Sequence, residues 1–241
     1  MSDTFTVMSK ELRSYFTSPV AWVLTAAFLV LNSIFFVGQA LGSQTATMDG
    51  MFRTLPVLML LLGPILSMRL LAEEQRSGTL ELLLTSPVSD AAVVIGKYLA
   101  VLGLYIVMLL FTLFYALLLQ FYAGAQGGPL WGPILSGYFG ALLLGGAFLA
   151  IGVFTSSLTD NPAVGAFIAV AITLALWLAG NFQSVFQGAF GDFLNQIAIT
   201  DRYYNNLTVG VVALKDVIYY LSLMVIFLFM AIQSLGSRRW R

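Results

Sequence analysis

The 241-residue chain contains no cysteine and no histidine, and only 9% of its residues are charged. Without cysteine there are no disulfide frameworks, thiolate metal sites or thiol nucleophiles. Without histidine, the chain loses His general bases, nucleophile–His pairs, haem axial histidines and Cys/His zinc clusters. A soluble domain carries about 25% charged residues, and 9% cannot coat a water-facing surface. The eleven basic and eleven acidic residues cancel, so no bulk field points to nucleic acid. What is abundant is apolar: 59% hydrophobic residues and a mean hydropathy of +0.92. These values predict an integral membrane protein. At roughly 20 residues per crossing, the length allows six or seven helices and no second globular domain.

A central Lys, Arg or Asp opposes insertion by about 2.5–3.5 kcal/mol, so charges mark the ends of spans. Arg13 to Asp49 encloses the first span. Arg53 to Arg69 leaves only 15 uncharged residues, which suffice if both arginines sit at the interfaces and snorkel. Lys97 to Asp160 leaves 62, enough for two spans, broken at Gly124, Gly127, Gly128, Pro129, Gly132 and Pro133. The pattern predicts an all-α protein of one domain over 1–241, with six spans near 20–41, 48–72, 93–122, 134–156, 162–180 and 217–236. Both termini are expected in the cytoplasm, because that orientation places eight basic residues inside and three outside. No cleavable signal peptide is expected.

Two segments are expected to lie along the membrane. Phe5, Met8, Leu12 and Tyr15/Phe16 recur at helical spacing before Ser18–Pro19, which reads as an amphipathic elbow helix in the inner interface. Phe182, Phe186, Phe190, Phe193 and Ile197 recur similarly on the outer side, with Gln183, Gln187, Asp192 and Asn195 between them.

No span has an ionisable residue near its centre, which argues against proton coupling and intramembrane hydrolysis. A phosphate-binding loop is also missing. Gly96–Lys97 has Ala91 where the first glycine belongs and Tyr98 in place of Ser or Thr. The charge-dense segment is the one between spans two and three, where seven charges fall from Arg69 to Lys97. Gly78 interrupts the helix leaving the membrane. Thr79 to Thr85 can form about two turns, Pro87 ends them, and Ser89 or Asp90 caps the next span. A helix this short, bearing Leu80, Leu82, Leu83 and Leu84, has to pack on the bundle or on a partner.

The string from Ala72 to Tyr98 resembles the signature loop of ABC-2-type permeases, nearest the branch of the gliding-motility and nitrous-oxide-reductase maturation permeases. The resemblance continues in order along the chain: Glu11 to Pro19 at the elbow, Pro56 and Pro64–Met68 in span two, Leu135 to Tyr138 and Ile151 to Asn161 around span four, and Gly210 to Ser222 before span six. It departs at Asn161–Pro162, where relatives often carry Asn–Gln, and in the outer amphipathic segment. The resemblance implies that a coupling helix sits in a cleft of a separate cytoplasmic ATP-binding subunit, which carries ATP and magnesium. It also implies a second permease chain, identical or paralogous, and in some relatives a membrane-anchored auxiliary subunit. Carried over, Glu73, Glu74, Arg76, Gly78, Thr79, Glu81 and Leu82 form the coupling surface, and the permease itself has no catalytic residue. Its location is then a bacterial inner membrane.

Two further features have alternative readings. Pro56 and Pro64 free the carbonyls of Phe52 and Leu60, which suits either a pathway-lining kink or a packing kink. Gly165, Ala169 and Thr173 fall four apart in span five, suiting either contact with a second chain or packing within this one. The rival functions are an ATP-independent channel or facilitator, and a membrane scaffold.

Overall fold

The computed structural model describes residues 2–43, 47–79, 88–123, 128–182 and 188–238. Among these there is no strand. The helices are α1 (Ser2–Thr17), α2 (Pro19–Ser43), α3 (Asp49–Ser67), α4 (Arg69–Arg76), α5 (Asp90–Ala123), α6 (Trp131–Leu158), α7 (Pro162–Phe182), α8 (Ala189–Ile197), α9 (Asp201–Asn205) and α10 (Leu214–Arg238). A short 3-10 turn, Leu207–Val209, precedes α10. Six of these helical stretches are long and apolar enough to cross a membrane, α3 and α4 counting as one. They run alternately up and down, so α1, α4 and the start of α5 share one end of the bundle, while α8 and α9 share the other.

Helix starts follow from local chemistry. The Ser89 hydroxyl accepts from the Ala92 N–H at 3.2 Å and caps α5. The Asn161 side chain accepts from Ala163 N–H at 3.0 Å, with Pro162 in the first helical position of α7, where its missing N–H has no consequence. The α3 helix runs through both prolines without ending.

The centre of the bundle is α6 crossed against α3. Both are buried over most of their length, whereas α2, α7 and α10 expose wide apolar faces. Helix α6 is apolar on all sides, the pattern of a helix surrounded by others. Its crossing with α3 is close because Gly152 faces Ser67; a Cβ there would lie 2.7 Å from the Ser67 Cβ. Membrane helices lack a hydrophobic drive to associate and rely on such small-residue contacts.

The expected elbow is α1, and it lies along α5. Val7, Met8, Leu12, Tyr15 and Phe16 are half-buried, but Phe5 is exposed. The inward face is turned toward Thr4 and Val7 because these meet the bare backbone of Gly96; a Cβ there would be 2.9 Å from each. Two side chains lock the corner into α2 and α3. Trp22 Nε1 donates to the Phe16 carbonyl at 2.9 Å, and the Tyr15 hydroxyl donates to the Leu66 carbonyl at 2.8 Å. Burial first, then the charge of Glu11, pushes the Tyr15 phenol upward and keeps it a donor.

At the far end, Phe190 and Phe193 of α8 are more than half exposed. Of the expected amphipathic row, Gln183, Phe186 and Gln187 lie outside the described residues, while Phe182 is exposed and Ile197 half-buried. Gly165, Ala169 and Thr173 form the buried stripe of α7, with Gly165 against Ser156 and Thr155 of α6. Within the chain that stripe is an internal contact.

Candidate functional site

Helix α5 has 34 residues, so it is about 51 Å long at 1.5 Å per residue. A hydrocarbon core takes up about 30 Å of that. The site is built around the first turns of α5, the stalk, at the α1/α4 end.

Seven residues into α5 stands Lys97, almost wholly buried. Its ammonium lies 2.8 Å from Glu11 Oε1 of α1 and 2.8 Å from Glu74 Oε1 of α4. One cation therefore ties the elbow, the arm and the stalk together. Both carboxylates are about four-fifths buried, so this junction is not the weak surface pairing typical of exposed charges. Glu73 differs from its neighbour. Adjacent helical residues point about 100° apart, and Glu73 faces outward, 3.9 Å from an equally exposed Arg69. Such an i,i+4 pair contributes only about 0.3–0.5 kcal/mol, leaving both groups available for other contacts.

The arm is held from a second side. No side chain of its own caps α4, and Ser156 of α6 does so from across the bundle. Its Oγ accepts from the N–H groups of Leu71 (3.1 Å) and Ala72 (3.0 Å) and donates to the Met68 carbonyl (2.8 Å). A hydroxyl has one donor and two acceptor sites, and all are used. One residue on, the Ser157 carbonyl accepts from Gln75 Nε2 at 3.1 Å and from Ser234 Oγ at 3.2 Å, drawing in α10. Replacing Ser156 with Ala should lower stability by about 1–2 kcal/mol. In a detergent melt that is a fall of about 2–8 °C; an unchanged midpoint would show that α4 needs no cap.

Past Arg76 the helix stops. Gly78 has φ +72°, in the left-handed region that favours glycine, and a Cβ placed on it would meet nothing within 4 Å. Glu73, Arg76, Gly78 and Thr79 are all exposed here. Glu81 and Leu82, the remaining residues expected at a coupling surface, lie outside the described residues. Two openings flank the arm. One, of about 420 Å³, lies between it and α1, α2 and α3. The other, of about 490 Å³, lies between it and the turn at Asn161–Ala163.

From the sequence, Lys97 marks a span end and fails as the lysine of a phosphate-binding loop, and no role falls to Glu11, Ser156 or Ser157. A second missed group is Asp216, fully buried in the first turn of α10. It accepts from Arg202 Nη1 (3.1 Å) and Asn206 Nδ2 (2.6 Å). The Arg202 guanidinium also lies 4.4 Å from the centre of the Tyr219 ring. Tyr219 and Tyr220 donate to the carbonyls of Ile197 and Ile199, each at 2.6 Å. This cluster closes the end opposite the arm.

Pro56 and Pro64 are buried within α3. The same helix leaves one row open, Arg53, Val57, Leu61 and Ile65, each four residues from the next, and Arg69 at the start of α4 continues it.

The fold and site together define an all-α, multi-pass membrane protein with a helical arm braced at one end of the bundle. Residues 5–237 match the family described as ABC-2 family transporter protein, and the chain belongs to that family. No curated protein matches it.

Proposed function

We propose that this chain is the transmembrane permease subunit of an ATP-binding-cassette transporter, driven by ATP and magnesium on a separate cytoplasmic ATP-binding subunit. The carrying observation is the Glu11–Lys97–Glu74 junction: it makes the arm continuous with the elbow and the stalk, so force applied at the arm reaches the spans. A lever also needs a defined end, and Gly78 supplies one beside the exposed Glu73, Arg76 and Thr79. Rocking of the spans between inward- and outward-open states then follows from movement of the arm. The open row on α3, a helix that lacks the ladder hydrogen bonds Pro56 and Pro64 cannot donate, is the proposed wall of the pathway.

The working assembly in this reading has two permease chains and two ATPase chains in a bacterial inner membrane, with both termini cytoplasmic. The run from Ala72 to Tyr98 supports a place in the gliding-motility and nitrous-oxide-reductase maturation branch, where a membrane-anchored auxiliary subunit is an added partner. The test is extraction from native membrane in mild detergent, with mass spectrometry and an ATPase assay on the eluate. A stoichiometric ATP-binding subunit is the expected result. A partnerless protein without ATPase activity, under extraction mild enough to keep other complexes whole, points instead to a channel or scaffold.

Gly78→Ala is the sharper variant. A side chain in the left-handed region is disfavoured by about 1–2 kcal/mol, and that strain falls on an exposed turn. The bundle's melting temperature should fall by no more than the roughly 2–8 °C that this strain is worth, while ATP hydrolysis should lose its dependence on the transported load. Coupling that survives this change would remove the lever.

A further inference from the structure

The opening between α1, α2, α3 and α4 has two unlike walls. Toward α2 and α3 it is apolar, with Val20, Leu24, Ile65 and Leu66; toward the arm it is charged, with Glu11, Arg69, Glu73, Glu74 and Lys97. Its volume of about 420 Å³ suits a small-molecule headgroup and the first part of a chain. Lys97 is already committed to Glu11 and Glu74. What remains, among the described residues, is Arg69, whose guanidinium pairs with Glu73 at the long distance of 3.9 Å, and Glu74 Oε2, a buried oxygen with no hydrogen-bond partner. A buried carboxylate oxygen left without a donor is uncommon in folded proteins.

We infer that this opening is a binding site for an aminophospholipid of the adjacent leaflet. Arg69 receives the phosphate, for which its planar fork is well matched. Glu74 Oε2 and Glu73 receive the primary ammonium, and the Leu24–Ile65–Leu66 wall receives an acyl chain. The charge balance selects among headgroups. Three carboxylates against two cations line the opening, which disfavours an anionic glycerol headgroup. A choline headgroup is matched in charge but has no N–H to give to Glu74 Oε2. A lipid held here would touch the spans on one side and the arm on the other. The inference does not depend on an ATP-binding partner.

The experiment uses the full chain in mild detergent, equilibrated with equal parts phosphatidylethanolamine, phosphatidylcholine and phosphatidylglycerol. Lipid retained per chain is then read by native mass spectrometry. One ethanolamine lipid per chain is expected, enriched about tenfold over choline, the worth of one charge-assisted hydrogen bond. Arg69→Ala and the cavity-filling Leu24→Trp should each abolish the enrichment, while Arg53→Ala, at the other end of α3, should keep it. A melting curve for each variant separates loss of the site from loss of the fold, and Arg69→Lys should retain partial enrichment. Equal retention of the three lipids overturns the site, as does glycerol-lipid enrichment or an ethanolamine preference that survives both Arg69→Ala and Leu24→Trp. An ATP-binding subunit found or missing in the extraction experiment leaves these readouts unchanged, so the two readings fail separately.

Discussion

Lys97→Met is expected to destabilise the protein by about 3 kcal/mol, the low end for breaking a buried ion pair, because the two carboxylates keep some exposure. The change removes the cation that Glu11 and Glu74 share and leaves two like charges facing each other across the stalk. The midpoint of a detergent melt should fall by about 6–12 °C. The elbow should also detach, and protease should then cut more readily at Lys10 and Arg13. The triple change Glu11→Gln, Lys97→Met, Glu74→Gln should recover most of the midpoint, since removing every charge of a buried cluster is often neutral. If the single change alone leaves both midpoint and cleavage unaltered, the junction is not holding α1 and α4.

Gly152→Val should be at least as damaging, for a different reason. Its Cβ would press on Ser67 where α3 and α6 cross closely. Overpacking of this kind is worth about 1–3 kcal/mol. Ser156 lies one turn further along the same face of α6, so separating the helices also withdraws the hydroxyl that caps the arm. The two losses share one helix displacement, so they do not add as independent terms; a total of about 4 kcal/mol is expected. Gly38→Val is the matched control. A Cβ there meets nothing within 4 Å, and its melting midpoint should stay within a degree or two. Equal behaviour of the two variants would mean that α3 and α6 do not cross as closely as Gly152 implies.

The six apolar helices were legible because a bilayer imposes strong constraints: apolar runs of the right length, separated by charge and turn residues, have few other readings. Pro162, Ser89 and Pro129 marked their helix ends for local reasons that need no knowledge of the fold, whereas Gly132 and Pro133, expected in the break, fall in the first turn of α6. The break at Gly78 was legible in the same way. The division of labour between Glu73 and Glu74 was half visible, since neighbours on a helix cannot face the same way, yet nothing local says which turns inward. Lys97 was not legible. Its partners lie 86 and 23 residues away, and whether a lysine near a span end snorkels or forms a junction depends on what packs beside it. Ser156 was hidden for a similar reason. A serine near the end of a helix ordinarily bonds to its own backbone, and only the crossing at Gly152 brings α4 within its reach. Phe5 shares the apolar spacing of Met8 and Leu12, but only the groove at Gly96 decides that Thr4 and Val7 meet α5 while Phe5 stays exposed.

The placement of α6 has a consequence for how the protein is made. Its partners lie on both sides of it in chain order: α3 and α5 are synthesised earlier, α7 and α10 later. Met224 of α10 rests over Gly146 of α6, so this most enclosed of the helices leaves the ribosome with one flank uncovered. Roughly 80 residues separate the end of α6 from the end of α10, and at about 5–20 residues per second that flank stays open for about 4–16 s. During that interval the half-made chain presents glycine-rich backbone to lipid. An insertion factor that shelters nascent helices would have this segment as its natural client, and slowing translation between α7 and α10 should lower the yield of folded protein.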